Sequence, residues 1–210
     1  LLVGLDLQAL VEQYGPLPVE RVVHLLLQAC DSLADAHEHG LTHRDIKPAN
    51  LFLCRLGPSG DHLKLLDFGL VQEVQPVAPS SKLTAEGTTA GTPAYMAPEM
   101  IVARGGVDRR ADIYALGAIL YELLTGELPF RGRTRMLLQQ VINDEAPSPR
   151  KLNSSIPRDL ETITLKCLSK DREKRYDTAG DLADDLEAWL EHRPISARPI
   201  SMAGRLFRWS

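Results

Sequence analysis

The sequence of 210 residues lacks a long apolar run. A membrane-spanning helix needs about 18 or more consecutive apolar residues. The longest apolar stretch here, around residues 114–124, is interrupted by Glu122. No segment has the pattern of a secretory signal peptide. We therefore expect neither a membrane span nor a secretory leader within these residues.

Cysteine is scarce, and the three cysteines, Cys30, Cys54 and Cys167, are scattered along the chain. Their odd number and wide spacing match neither a disulfide framework nor a metal site, so we expect a reducing compartment and a cytoplasmic location. Cys30 and Cys167 lie in helical apolar patterns, which predicts that both belong to the core.

An excess of positive charge is also missing. The 24 lysines and arginines and 28 aspartates and glutamates give a net charge of -4, which argues against a general nucleic-acid-binding protein. With 44% apolar and 25% charged residues, the composition is that of a globular protein. The length suits a single domain with a buried core.

The spacing of the apolar residues predicts a mainly α-helical fold with one small β-hairpin. Helices are predicted at residues 5–14, 18–39, 112–125, 134–143, 157–168 and 178–192. Two strands, 50–55 and 62–66, flank a turn of glycine, proline, serine and aspartate, so their outer ends should bring Asn50 close to Asp67. Residues 70–95, rich in serine, threonine, proline and glycine, are predicted to form a loop.

The most informative segment is residues 42–50, Thr-His-Arg-Asp-Ile-Lys-Pro-Ala-Asn. Transfer of a phosphoryl group requires positioning and charge neutralisation more than covalent chemistry. Asp45 could accept the proton of an attacking hydroxyl, Lys47 could balance charge on the phosphate, and Asn50 offers an amide oxygen suited to Mg²⁺. The alternative is a solvated loop, because a histidine, an arginine and an aspartate in a row mean little alone.

Further motifs decide between these two interpretations. The chain continues with Asp67-Phe68-Gly69, Ala97-Pro98-Glu99, Asp112-Ile113-Tyr114-Ala115-Leu116-Gly117 and Arg175, in the order and rough spacing of the protein-kinase signature set. Residues 1–192 thereby resemble the C-terminal lobe of a serine/threonine protein kinase, and are most similar to the bacterial, eukaryotic-like branch. Lys47 and the segment 91–99 carry the serine/threonine character. Residues 193–199 more weakly resemble a tail found after the kinase domain in planctomycete-type bacterial kinases.

The resemblance implies an enzyme that transfers the γ-phosphate of ATP to serine or threonine hydroxyls of proteins in signal transduction. It makes Asp45, Lys47 and Asn50 the catalytic residues. Asn50 and Asp67 would bind Mg²⁺, with Mn²⁺ as an alternative, while Lys47 would contact phosphate. Phe52 would lie under the adenine, with Ile119 and Leu123 below it, although a core aromatic is the plainer interpretation.

The resemblance also assigns supporting residues. His43 and Phe68 would stack, Asp112 would anchor the catalytic loop, and Glu99 would pair with Arg175. Because kinases with an arginine at the position of Arg44 are typically activated by loop phosphorylation, a phosphothreonine is expected to pair with it. Thr88 is the first candidate by position, with Thr84 and Thr89 as alternatives, and Thr92 is expected to contact Asp45 and Lys47 instead.

No Gly-x-Gly-x-x-Gly loop, strand lysine or helix glutamate precedes Asp45, and those parts hold the nucleotide in a complete kinase, whose whole fold is α+β. We therefore expect little activity from these 210 residues alone. Three hypotheses stay open: part of an active kinase, a kinase-like docking module without catalysis, or a lobe that needs a separate N-lobe chain. A dimer is a further possible partner arrangement. Residues 193–210 are predicted to be a basic, aromatic tail or linker, with any membrane anchor lying beyond them.

Overall fold

The computed structural model describes residues 4–55, 61–66, 92–102 and 106–197, with Arg55 and Thr92 described through their backbone alone. This part of the chain is mainly helical with a small sheet, as predicted. Its elements in order are β1 (Gly4–Asp6), α1 (Leu7–Tyr14), α2 (Val19–Glu38), β2 (Leu51–Arg55), β3 (Asp61–Leu65), α3 (Pro98–Val102), α4 (Arg110–Thr125), α5 (Thr134–Asn143), α6 (Arg158–Cys167) and α7 (Ala179–Leu190). None of the helices in the described ranges is long and apolar enough to cross a bilayer.

The sheet is antiparallel, and its strands lie in the order β1-β2-β3. The predicted hairpin is confirmed, because β2 pairs with β3 in the register Leu51↔Leu65 and Leu53↔Leu63. The N–H of Leu66 continues the pairing by donating to the carbonyl of Asn50 at 2.8 Å. Asn50 therefore lies beside the residue that precedes Asp67, while Asp67 itself is outside the described residues.

The prediction of a helix from residue 5 is wrong at its start. Residues 4–6 form β1, with Gly4 opposite Cys54 and Asp6 opposite Phe52. An added Cβ at Gly4 would lie 1.9 Å from the carbonyl oxygen of Leu53, so only glycine allows the strands to approach this closely. The helix begins at Leu7, where the carboxylate of Asp6 accepts the N–H of Ala9 at 2.8 Å as an N-cap.

Helix α4 runs through the middle of the core. Thirteen of its sixteen residues are buried, which agrees with the prediction of a helix that is apolar on all sides. Close packing on α6 depends on Gly117, because a Cβ there would lie 2.5 Å from the Cβ of Cys167. The αL conformation of Gly126, with φ of 75°, ends the helix.

Helices α2, α6 and α7 complete the main core around α4. On α7, the predicted leucine stripe is present: Leu182 and Leu186 are buried, and Leu190 and Trp189 pack against them partly buried. A capping box starts this helix, because Thr178 accepts the N–H of Asp181 and Asp181 accepts the N–H of Thr178. Contacts with α7 continue to Ala197, past the boundary predicted at 192.

Candidate active site

The backbone of the predicted catalytic segment, residues 42–50, is held by one buried carboxylate at the start of α4. Asp112 is 1% exposed, and it accepts the backbone N–H of His43 at 2.9 Å and that of Arg44 at 2.8 Å. Arg44 has a φ of 65°, a left-handed conformation that is unusual for a non-glycine residue. Such a conformation costs on the order of 1–3 kcal/mol. The two charge-assisted hydrogen bonds to Asp112 offset this cost.

A third group, His37 of α2, also bonds to Asp112. Its Nε2 lies 2.8 Å from Oδ2, and its side chain is only 5% exposed. Because a carboxylate oxygen accepts, Nε2 must carry the hydrogen, and Nδ1 has no hydrogen-bond partner among the described residues. The sequence analysis did not assign this role to His37. A polar residue on a buried helical stripe was the available signal.

His43 makes a hydrogen bond through each of its ring nitrogens. The backbone N–H of Asp45 donates to its Nδ1 at 3.3 Å, so Nδ1 accepts and Nε2 carries the hydrogen. Nε2 then donates to the carbonyl oxygen of Leu66 at 3.1 Å. With both ring nitrogens occupied in this way, the imidazole joins the catalytic segment to the residue after β3. Its expected stacking partner Phe68 lies outside the described residues.

The predicted catalytic side chains meet at one point. Nζ of Lys47 donates to Oδ2 of Asp45 at 2.7 Å, and Nδ2 of Asn50 donates to the backbone oxygen of Asp45 at 2.8 Å and to Oδ2 at 3.3 Å. The side chain of Asp45 is 51% exposed, whereas Asn50 is buried. The carboxylate of Asp45 therefore faces solvent while its two neighbours hold its direction.

The predicted nucleotide-contacting apolar residues are divided between two elements. Phe52 of β2 is half-buried, and its ring lies close to Gly4, where an added Cβ would be 2.9 Å from Cε1. Ile119 and Leu123 are fully buried in α4. Both belong to the main core.

Glu99 and Arg175 form a buried bidentate ion pair. Nη1 and Nη2 of Arg175 donate to Oε1 and Oε2 of Glu99 at 2.7 and 2.8 Å. The side chain of Arg175 is 0% exposed, and its Nε donates to the carbonyl of Ser169 at 2.8 Å. The guanidinium also lies 5.0 Å from the centre of the Tyr114 ring. This pair ties α3, which follows the predicted activation segment, to the core.

Beside the turn Thr92–Tyr95 lies a second carboxylate that sequence reasoning did not assign. The phenol of Tyr95 donates to Oε2 of Glu122 at 2.7 Å. Burial raises the pKa of Glu122 above its usual range, while the hydrogen bond from Tyr95 acts in the opposite direction. Burial, with the nearby charge of Glu122, likewise raises the pKa of Tyr95. The bond fixes this turn against the end of α4.

Several predicted site residues lie outside the described part of the chain. These are Asp67, Phe68, Thr84, Thr88 and Thr89. Thr92 begins the short turn before Ala97 and Pro98, and its side chain is not described. The expected contact of Thr92 with Asp45 and Lys47, and the expected phosphothreonine partner of Arg44, therefore stay predictions.

Comparison with known proteins identifies the family. The family model described as "Protein kinase domain" matches residues 2–186. The chain belongs to the protein kinase family. Over 186 residues it is 37% identical to the serine/threonine-protein kinase PknB of Mycobacterium leprae, covering 87% of this chain and 28% of that protein. Over 192 residues it is 40% identical to the serine/threonine-protein kinase Pkn1 of Myxococcus xanthus, covering 90% of this chain and 27% of that protein.

A solved structure is similar in fold. The crystal structure of Rad53 1–466 in complex with AMP-PNP superposes with a TM-score of 0.70 at 27% sequence identity. The match covers 88% of this chain and 44% of that one. This kinase chain thus spans less than half of that protein and about 28% of PknB.

His37→Phe is expected to destabilise this kinase chain by about 1–3 kcal/mol, because it removes a donor from the buried carboxylate of Asp112. His37→Gln keeps a donor of similar reach and should lose less. The measurement is urea unfolding followed by circular dichroism. His24→Phe, on the exposed face of the same helix, serves as the control and should stay within about 0.5 kcal/mol. Equal losses for His24→Phe and His37→Phe would contradict the assignment.

Proposed function

We propose that the chain carries the catalytic apparatus of an ATP-dependent serine/threonine protein kinase that acts on hydroxyls of protein substrates. The observation that carries the proposal is the convergence of Lys47 and Asn50 on Asp45, in a loop whose backbone is held by Asp112. The names of the bacterial relatives support serine and threonine as acceptors. A role in signal transduction follows from that class of substrate.

Asp45 is the proton acceptor in the proposed reaction. Its half-exposed carboxylate can meet the hydroxyl of a protein substrate, and the O–H proton passes to it as the oxygen attacks phosphorus. Lys47 forms an ion pair with Asp45, and its ammonium would neutralise charge on the transferred phosphate. Asn50 holds Asp45 in place through two hydrogen bonds from its Nδ2, one to the backbone oxygen and one to the carboxylate.

The site fits a divalent metal with ATP. Both hydrogen bonds that Asn50 makes to Asp45 use its Nδ2, so within the described residues its Oδ1 is left as a candidate ligand. An amide oxygen and nearby carboxylates are the hard ligands that Mg²⁺ prefers, and Mn²⁺ accepts the same set. Asn50, with Asp67 from the segment after β3, would hold the metal. When bound, the metal neutralises charge on the phosphates of ATP.

The proposal extends to the parts of the kinase fold that these residues supply. We assign the chain to the C-terminal lobe, since the groups beneath the phosphates are here while a glycine-rich loop and strand lysine are not among the 210 residues. Little activity is expected from these residues alone, because losing one preorganised charge contact typically costs about 10²–10³ in rate.

Free, buried Cys30, Cys54 and Cys167 support the proposed cytoplasmic location. Arg44 remains the proposed partner of a phosphothreonine in the activation segment.

A radiometric assay with ATP, Mg²⁺ and a generic protein substrate tests this function. The 210 residues alone should give almost no turnover, whereas a chain that adds a nucleotide-binding lobe, linked or as a separate chain, should phosphorylate serine and threonine. Turnover only with the separate lobe would favour the two-chain arrangement. No turnover in any form, with substrate proteins still bound, would contradict the kinase and favour a docking module.

A further inference from the structure

A buried carboxylate in α7 lies apart from the residues proposed for catalysis. Asp185 is 1% exposed, and it accepts hydrogen bonds from the phenol of Tyr176 at 2.7 Å, the backbone N–H of Ser196 at 2.5 Å and that of Ala197 at 2.9 Å. Its charge is met by these three donors rather than by a salt bridge within the described residues. Two of the three donors come from the segment that follows α7.

That segment folds back on the helix instead of continuing away from it. His192 has a φ of 56°, which reverses the chain. The N–H of Arg193 then donates to the carbonyl of Ala188 at 2.7 Å. Ile195 packs against the core, and Ala197 is buried. Residues 193–197, which we call the strap, are therefore bound to α7 through backbone and side chain alike.

Asp185 and the strap depend on each other. An ionised carboxylate is costly to bury unless hydrogen bonds replace its lost water. If the strap separated from α7, Asp185 would keep Tyr176 alone of its three donors, and the two amides would need water as a new acceptor. The position of the strap on α7 is therefore stabilised by the charge of a single residue, Asp185, which accepts hydrogen bonds from two consecutive backbone amides.

We propose that Asp185 is a latch that binds the backbone of the strap and fixes where the chain beyond Ala197 leaves the lobe. The strap belongs to the folded unit, although the family model ends at residue 186 and the sequence predicted a tail or linker from residue 193. A partner that binds only when the strap is detached from α7 would deprive Asp185 of two hydrogen-bond donors. Asp185 therefore opposes detachment of the strap by a force or a partner that acts on the residues after Ala197. The latch does not depend on the proposed phosphoryl transfer.

Hydrogen exchange of the full chain, followed by mass spectrometry on peptides that cover residues 190–200, tests the latch. Asp185→Asn should raise the exchange rates of the Ser196 and Ala197 amides by about tenfold or more. Asp184→Asn makes the same charge change on the exposed neighbour and should leave them unchanged. Exchange that is equally slow in wild type and Asp185→Asn would overturn the proposal, as would strap amides already unprotected in wild type.

Two further variants keep the test decisive if Asp185→Asn folds poorly. Tyr176→Phe keeps both amide bonds, so strap exchange should stay near wild type; a rise equal to that of Asp185→Asn would indicate general loosening and contradict the latch. A chain ending after His192 should melt lower by roughly 5–10 °C. In that shortened chain Asp185→Asn should shift the melting temperature by less than half its effect in the full chain, because two of the three donors to Asp185 are gone. Equal shifts in the two backgrounds would overturn the proposal.

Discussion

Asp45→Asn is expected to lower kcat for protein phosphorylation by about 10²–10⁴ in a chain that carries the nucleotide-binding lobe. The amide has nearly the size of the carboxylate, and its oxygen can still accept the hydrogen bonds from Lys47 and Asn50. It cannot take the proton of the substrate hydroxyl at neutral pH. The loss should appear in kcat, with KM for ATP changed little, because the proton acceptor acts in the transition state.

The control for this prediction is Asp35→Asn. Asp35 is an exposed carboxylate on α2 with a side chain 82% exposed, and its only ion pair among the described residues is a local one with His39. It should leave kcat and stability unchanged. Asp45 is itself half exposed and its ion pair is worth under about 1 kcal/mol, so Asp45→Asn should melt close to wild type. A loss of activity that follows a loss of folded protein, or normal kcat in Asp45→Asn, would contradict the proposed role.

Local patterns predicted most of the helices. The helix at 134–143 has the predicted bounds, because Gly132 and the polar residues after 143 end its apolar period. The hairpin was also predictable, since turn residues lie between two strand-like runs and determine their pairing. In these helices and in the hairpin, the residues that determine the structure lie within or next to the element itself in the sequence.

Long-range pairing escaped the sequence patterns. Strand β1 is only three residues long, too short for a period, and it exists because Gly4 fits against Leu53 about fifty positions further on. His37 and Asp112 are 75 positions apart, so nothing near either residue indicates the bond between them. The strap was also missed because the sequence around it carries no local signal. Asp185 is bound there by the backbone N–H groups of Ser196 and Ala197 rather than by their side chains.

The candidate site divides in the same way. The identities of Asp45, Lys47 and Asn50 follow from a contiguous motif and from resemblance to a family with known chemistry. Their mutual geometry does not follow from either, since it depends on Asp112 holding Arg44 in a left-handed conformation. The sequence pattern identifies the candidate catalytic residues, whereas the loop geometry that brings them together depends on a carboxylate far away in the sequence.

Arg175→Met is expected to destabilise the chain by about 3–5 kcal/mol, because it leaves Glu99 partly buried without its partner. At about 2–4 °C per kcal/mol for a chain of this size, the melting temperature should fall by roughly 6–20 °C. Differential scanning calorimetry measures the change. Lys174→Met is the matched control. The side chain of Lys174 is 64% exposed and pairs with Asp171, so its loss should cost under about 1 kcal/mol and lower the melting temperature correspondingly little.

The double variant Glu99→Leu with Arg175→Met identifies the origin of this loss. If the cost comes from an unpaired buried charge, removing Glu99 as well should recover part of the melting temperature, since an apolar pair of similar volume replaces the ion pair. Recovery should be incomplete, because Arg175 also donates to the carbonyl oxygens of Ser169 and Arg110, and these lose their donor in both variants. A double variant that melts lower than Arg175→Met would show that Glu99 stabilises α3 without its partner.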